Sequence, residues 1–489
     1  MPAALSVALL LALLQPAPEP APSPLPAELA GAWSGAISHD GETTPFALEL
    51  EPGADGTVLL KATVPAAHLV RIPLGRVSPQ VEGREVKLGP FALTYDAAAK
   101  TLTGVVPEGL APVYKLPMVL RRAEQVETPP RAEPGGTLAA PAWTFDAGSP
   151  LWPGPVVSRG LVFAGGQDGQ LHAVDARTGQ KLWSFRAGGA LRTRPCVAGD
   201  ALYFQADDGF LYKLDAATGA QSWRVQLVPK PIERLPFDNP KSRYDRFGSD
   251  VTAAGGRLYV GTHDGHVVAI DPAKGDKLWD FATGDSVLAA PAVDSGRVYV
   301  GSFDKSVYAL DAASGTLLWK RLTEGAVVST PAVAGDLVVV GNRAYDLVGI
   351  TAATGEIAWK RYVWFSWIES SATIKDGVAY VGSSDAALVS AVDAKTGRAR
   401  WQADVYGWAW GQPAVTDSRV YMGTSSQAGY PAGHRAGVMA LDRATGTVAW
   451  RYESPASASG AFGFPGSPAV GEGFVYVSGL DGRLYAFPL

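Results

Sequence analysis

The chain has 489 residues, 47% of them hydrophobic and 18% charged, with 42 Lys and Arg against 47 Asp and Glu. That length admits roughly three domains, or one large β-domain and a smaller one, and a net charge of −5 leaves no basic excess to neutralise nucleic-acid phosphates. The 56 glycines and 37 prolines, without a collagen period, exclude a mainly helical protein and favour turn-rich β-structure.

Residues Ala3 to Leu14 form an apolar run too short to span a bilayer and suited to the core of a signal peptide, assigned to residues 1–21. No cysteine follows the run, which argues against lipid anchoring, and the expected location is a periplasm or the cell exterior. A Pro-rich spacer over 22–27 completes the stiff stretch that begins at Pro16. Cys196 is the sole cysteine, so intramolecular disulfides, CxxC zinc sites and CxxCH haem attachment are excluded. Its expected role is that of a small buried hydrophobe.

Residues 28–122 carry short alternating runs broken by Gly, Pro and Asp. Phe46–Leu50, Val58–Val64, Val86–Leu88, Phe91–Tyr95, Leu102–Val106 and Tyr114–Leu120 predict an antiparallel meander. Gly31-Ala32-Trp33 resembles the G-x-W opening of lipocalin-like barrels, with the Trp plugging one end. Residues 123–140 are charged, Pro/Gly-rich and aperiodic, hence a linker.

From residue 141 the chain repeats itself. VFAGGQDGQLHAVDARTGQKLW ends at Trp183, LYFQADDGFLYKLDAATGAQSW at Trp223 and LYVGTHDGHVVAIDPAKGDKLW at Trp279; the frame returns at Trp319, Trp359, Trp401 and Trp450. Eight residues before these tryptophans stand Asp175, Asp215, Asp271, Asp311, Asp393 and Asp442, with Thr351 the exception. Gly stands four before each. From Trp143 the Trp spacings are 40, 40, 56, 40, 40, 42 and 49.

Each unit predicts four strands: one near Pro-Ala-Val, two joined through an Asp-Gly or Asp-Lys pair, and one bearing the Trp. Asp-Gly predicts a two-residue hairpin with positive φ at both central residues. The D-A-x-T-G turn places an Asp to accept backbone N–H groups and a Gly to take the left-handed conformation. The Trp is expected to bury its ring against a neighbouring unit. Four-stranded units of about 40 residues around an axis make a β-propeller. The last unit stops at Leu489 without a Trp strand, and the first Trp strand, Ala142–Phe145, has no strands before it. One end supplies what the other lacks, giving eight blades over 141–489 closed by strands from the two ends, with no open edge between first and last. The fold class is all-β: an eight-bladed propeller preceded by a small antiparallel, barrel-like domain.

The A-x-D-x-x-T-G-x-x-x-W pattern resembles the tryptophan-docking motif of the PQQ-like propeller superfamily, which includes quinoprotein alcohol dehydrogenases and the propeller lipoprotein of the bacterial outer-membrane Bam assembly complex. The resemblance to the latter implies a non-catalytic binding or scaffold protein working with a protein or peptide partner in the cell envelope, as a monomer. The dehydrogenases of the superfamily stack PQQ between a Trp and a disulfide of adjacent cysteines, beside calcium. A chain with one cysteine cannot form that disulfide, so no cofactor is expected and PQQ with calcium is disfavoured. The alternative is a PQQ-dependent or carbohydrate-processing enzyme using its aromatic loops, with Asp250 and Glu369 as candidate carboxylates near the mouth. His263 and His266 flank a hairpin turn, too few for a zinc site, and are expected to face solvent.

The connections after each Trp strand share one face with the Asp-Gly turns and carry the unusual residues: Trp152, Arg192, Arg194, Tyr244, Arg246, Trp364, Trp367, Glu369, Trp408, Trp410 and Phe462. Trp408 and Trp410, two apart, are expected to point the same way, as are Arg192 and Arg194. Aromatics with Arg on loops are the substance of binding hot spots. The competing expectation is that they plug the central channel. A carbohydrate or small carboxylate would suit the same residues.

Overall fold

The computed structural model describes residues 25–39, 42–107, 115–126, 131–235, 245–363, 365–430, 432–458 and 460–489. The chain forms two compact units, the main division falling between Glu133 and Pro134.

The first unit is one antiparallel sheet of nine strands: β1 Gly31–His39, β2 Glu42–Pro52, β3 Val58–Val64, β4 Leu69–Val77, β5 Pro79–Glu82, β6 Glu85–Leu88, β7 Phe91–Asp96, β8 Thr101–Val105 and β9 Pro117–Ala123. The order β4-β3-β2-β1-β9-β8-β7-β6-β5 sets the first strand beside the last, and only Ser78 separates the two outer strands along the chain, so the sheet is nearly closed. Three strands, β1, β4 and β5, are not among the alternating runs. β4 contains Pro73 and Gly75, with positive φ at Arg71 and register shifts against β3; a strand at the sheet's edge tolerates such residues because it need not donate on both sides. Trp33 is wholly buried, donates Nε1 to the Leu29 carbonyl at 2.9 Å and meets Tyr95 edge-on. Arg122, its register partner on β9, stacks a guanidinium 5.5 Å from the indole.

The second unit is an eight-bladed propeller. Blades I to VI span Val156–Arg186, Cys196–Gln226, Thr252–Ala282, Ala292–Leu322, Ala332–Tyr362 and Thr373–Asp404, each a four-stranded antiparallel sheet in chain order. Blade VII runs from Ala414 to Glu453. Blade VIII joins Ala469–Gly471, Phe474–Ser478 and Arg483–Pro488 to Trp143–Asp146, paired Trp143↔Ala486 through Asp146↔Arg483. The short first strands of neighbouring blades approach one another round the axis, blade VIII's against blade I's included. The middle strands are buried on both faces (blade V, LVVVG) while the outermost strands alternate (blade IV, LLWKRL). Neighbouring blades cover both sides of a middle strand, which erases its alternation. Thr137–Leu138, inside the segment read as linker, adds a parallel fifth strand to blade VII against Trp450 and Arg451.

The hairpin turns differ from expectation. Gly169, Gly209, Gly265 and Gly482 have positive φ, but their preceding aspartates do not. Gly166 N bonds to Gln170 O and Gly169 N to Gly166 O, so the loop is a common turn closed by one left-handed residue. The same place holds Lys305, Tyr345 and Ala387 at positive φ in blades IV to VI.

The tryptophans dock on the turn of the next blade. Trp143, Trp223, Trp279, Trp319, Trp359 and Trp401 donate Nε1 to the carbonyls of Ala176, Pro272, Ala312, Ala352, Ala394 and Arg443, each the residue after the turn acid or Thr351. Beneath each ring lies that turn's glycine: a Cβ on Gly315 would stand 2.6 Å from Trp279, and one on Gly355 2.7 Å from Trp319. Two rings depart from this. Trp183 lies over Gly219, but its Nε1 has no partner among the described residues. Trp450 has no turn glycine beneath it among the described residues and packs on Phe487 instead. All eight are half-buried rather than fully enclosed, since they ride on outermost strands. The turn acids behave as expected: Asp175, Asp215, Asp311, Asp393 and Asp442 accept from backbone N–H and a Ser or Thr hydroxyl, and Asp271 from backbone N–H alone. Cys196 is half-buried at the edge of a core cluster rather than enclosed.

Candidate functional site

One residue from each blade lines a cavity at the axis: Gly154, Arg194, Asp250, Ala290, Thr330, Ser371, Gln412 and Ser467. They occupy equivalent positions just before the first strand, and six precede a proline. The residue before Pro is held extended, so these positions share one backbone course. A hydrogen-bonded collar results. Arg194 N donates to Asp250 Oδ1 at 2.7 Å, Ala290 N to Thr330 Oγ1 at 3.2 Å, Thr330 N to Ser371 Oγ at 2.8 Å and Gln412 N to Ser467 Oγ at 2.8 Å. Across the axis, Arg194 Nη2 donates to Gln412 Oε1 at 3.3 Å. The cavity holds about 90 Å³ for solvent centres, or 720 Å³ of empty space with its open mouth.

Two residues earlier in each connection lies the mouth, with Arg192, Leu288, Val328, Glu369 and Trp410 on its wall. Several of its charges are paired. Arg194 Nε meets Asp250 at 2.8 Å, Arg343 meets Glu369 at 2.6 Å, and Arg192 and Arg234 both bond Asp207 at 2.9 Å. His263 bonds Asp245 at 2.5 Å. Burial first, then the neighbouring Arg234 charge, pushes the Arg192 guanidinium below its usual range. Asp245 is held below the usual carboxylate range: burial works the other way, but the His263 bond and Arg234 outweigh it.

The structure brings most of the sequence-selected residues together. Arg192, Arg194, Arg246, Glu369 and Trp410 line the cavity. Arg246 lies between two indoles, 4.9 Å from Trp152 and 5.0 Å from Trp410, and all three side chains are buried. Trp410 stacks on Trp408 at 4.9 Å and 10°, and their Nε1 groups donate to Ser384 and Asp385. Trp367 and Phe303 flank the Arg343 guanidinium at 4.7 and 5.0 Å. Trp410 and Phe247 thus form part of the cavity wall, beside arginines, carboxylates and hydroxyls.

Phe462 does not join them; it lies in Ala461–Gly463, paired with Ser425–Gln427 of blade VII. Tyr244 and Trp364 fall outside the described residues. His263 and His266 do not simply face solvent, and they part: the first bonds Asp245, the second Asp280 at 2.6 Å. Asp207, Arg234, Arg343 and Gln412 were missed by sequence reasoning. Only Gln412 carried a signal, its place before the repeating proline; Arg343 stands in a hairpin turn where no repeat marks it.

Eight four-stranded blades, with tryptophans docked on the next blade's D-x-x-T-G turn, define a PQQ-like β-propeller. The family model described as outer membrane protein assembly factor BamB matches residues 138–236, 233–366 and 363–489, and the chain belongs to that family. BamB from Moraxella catarrhalis is similar in fold, with a TM-score of 0.55 at 18% identity over 72% of this chain and 100% of that one. So is a quinohemoprotein alcohol dehydrogenase from Pseudomonas putida, with a TM-score of 0.54 at 14% identity over 73% and 78%. Among curated proteins, lupanine 17-hydroxylase of a Pseudomonas species is 50% identical over 44 residues, 9% of this chain and 6% of its own length.

Proposed function

We propose that the chain is an exported, non-catalytic scaffold of the cell envelope, working in outer-membrane protein assembly through its mouth face. The observation that carries this reading is the mouth itself: a closed ring of blades presenting arginine–carboxylate pairs around an axial recess with Trp410 and Phe247 in its wall. Family membership supports it. In the described residues no helix is long and apolar enough to cross a membrane.

The dehydrogenase relatives favour a second reading, with PQQ and calcium at the axis. The axial residues do not fit that group. The cavity is crossed by the Arg194–Gln412 bond, Asp250 and Glu369 are each taken by an arginine, and no cluster of three or more His, Cys, Asp or Glu suited to a metal occurs among the described residues. Full-length protein used as bait in an envelope extract should enrich outer-membrane β-barrel proteins. Leu235→Asp, changing an apolar residue 47% exposed in the blade II–III connection, should lose them. Dye-linked alcohol oxidation with added PQQ and calcium overturns the reading.

A further inference from the structure

The open part of the axial cavity is a surface of hydrogen-bond donors. Thr330 Oγ1, Ser371 Oγ and Ser467 Oγ each accept a backbone N–H of the collar. A hydroxyl that accepts there keeps its own O–H to donate elsewhere. Arg192, Arg194 and Arg343 add guanidiniums with five N–H donors each, of which two per residue are spent, on Asp207 and the Arg246 carbonyl, on Asp250 and Gln412, and on Glu369; Arg246 brings a fourth charge. Against these four charges the described lining carries three carboxylates, Asp245, Asp250 and Glu369, each engaged by an Arg or His. Behind the wall, Asp207 is shared by two guanidiniums. The remaining donors and the excess of one positive charge favour an entrant that brings acceptors and negative charge.

Size admits the class. The recess is open, with about 90 Å³ for solvent centres and about 720 Å³ of empty space that includes its mouth. A phosphate or a small di- or tricarboxylate fits within it.

We propose that the axial cavity binds one small polyvalent oxyanion, a dicarboxylate or phosphate, between Arg192 and Arg194 on one side of the axis and Arg343 on the other. The side chains are 17%, 31% and 12% exposed, so an anion there meets charge that water screens weakly. Their pairing with carboxylates holds the planar forks in place, the arrangement that favours bidentate anion recognition. The inference deepens the reading of the mouth as a binding face and rests on it only in taking that face as the working surface.

The test titrates the full-length protein with succinate, citrate and inorganic phosphate at constant ionic strength, reading Trp fluorescence and melting temperature, with chloride and glucose as controls. Saturable stabilisation by at least one of the three, absent with the controls, is expected. Carboxylate-only or phosphate-only saturation supports the site and names the source. Arg194→Gln should weaken binding at least tenfold. Val328→Glu adds a carboxylate to the mouth without removing an ion pair and should weaken it similarly, which guards against a folding defect in the first variant. No saturable response to any probe, or unchanged affinity in both variants, overturns the proposal. Capture of outer-membrane proteins without anion binding sinks this inference alone; anion binding without capture sinks the scaffold reading alone.

Discussion

Trp319→Ala tests how the blades are held. The ring of Trp319 is half-buried over Gly355 of blade V, donates Nε1 to Ala352 O at 3.0 Å and tilts at 40° against Tyr299, 5.9 Å away. A fully buried aromatic removes about 150–250 Å² from water. Half of that, at about 25 cal/mol per Å², is worth about 2.5 kcal/mol, and the hydrogen bond adds about 1 kcal/mol. Trp319→Ala should therefore cost about 3.5 kcal/mol in urea unfolding followed by far-UV circular dichroism. Trp319→Phe separates the two contributions, keeping most of the packing and losing the bond, at about 1 kcal/mol. Trp183→Phe is the internal control, because that indole has no acceptor among the described residues and so no such bond to lose. A cost below about 1 kcal/mol for Trp319→Ala, the range of surface substitutions, refutes the docking argument. Equal costs for the two Phe variants refute the role given to the carbonyl after the turn acid.

Two further outcomes follow from the same ring. Deleting Pro141–Ala147 removes the fourth strand of blade VIII and opens the edge of Arg483–Pro488; the melting temperature of the whole propeller should fall, and an unchanged value counts against closure. His172, on the third strand of blade I, is 5% exposed with neither ring nitrogen bonded among the described residues, and burial holds it below its usual 6.5. The unfolded chain takes up that proton near 6.5 and the folded chain only at lower pH. Stability is thus flat above 6.5 and falls as the pH drops from there toward the folded value. His172→Leu should flatten the fall in urea midpoint between pH 7.5 and 5.5, and identical slopes in the two proteins refute the assignment.

The ring was legible because its information is local. A left-handed glycine and a Trp recur at fixed offsets in seven units, six of them with a turn acid and one with Thr351, and Trp143–Asp146 completes the eighth blade. Docking the Trp of one blade on the turn of the next makes the repeat both the fold's ruler and its glue, so composition and spacing suffice for the architecture. Strands such as β4, with its proline and bulges, fell outside that reach because only their place at an edge makes them tolerable. The axis is different in kind. Arg194 and Gln412 stand 218 residues apart and meet only because the blades close into a circle. No periodicity encodes which of eight non-equivalent side chains face one another there. Whether Trp152 and Trp410 are exposed or buried was likewise decided by Arg246, which arrives from an insertion and lies between them.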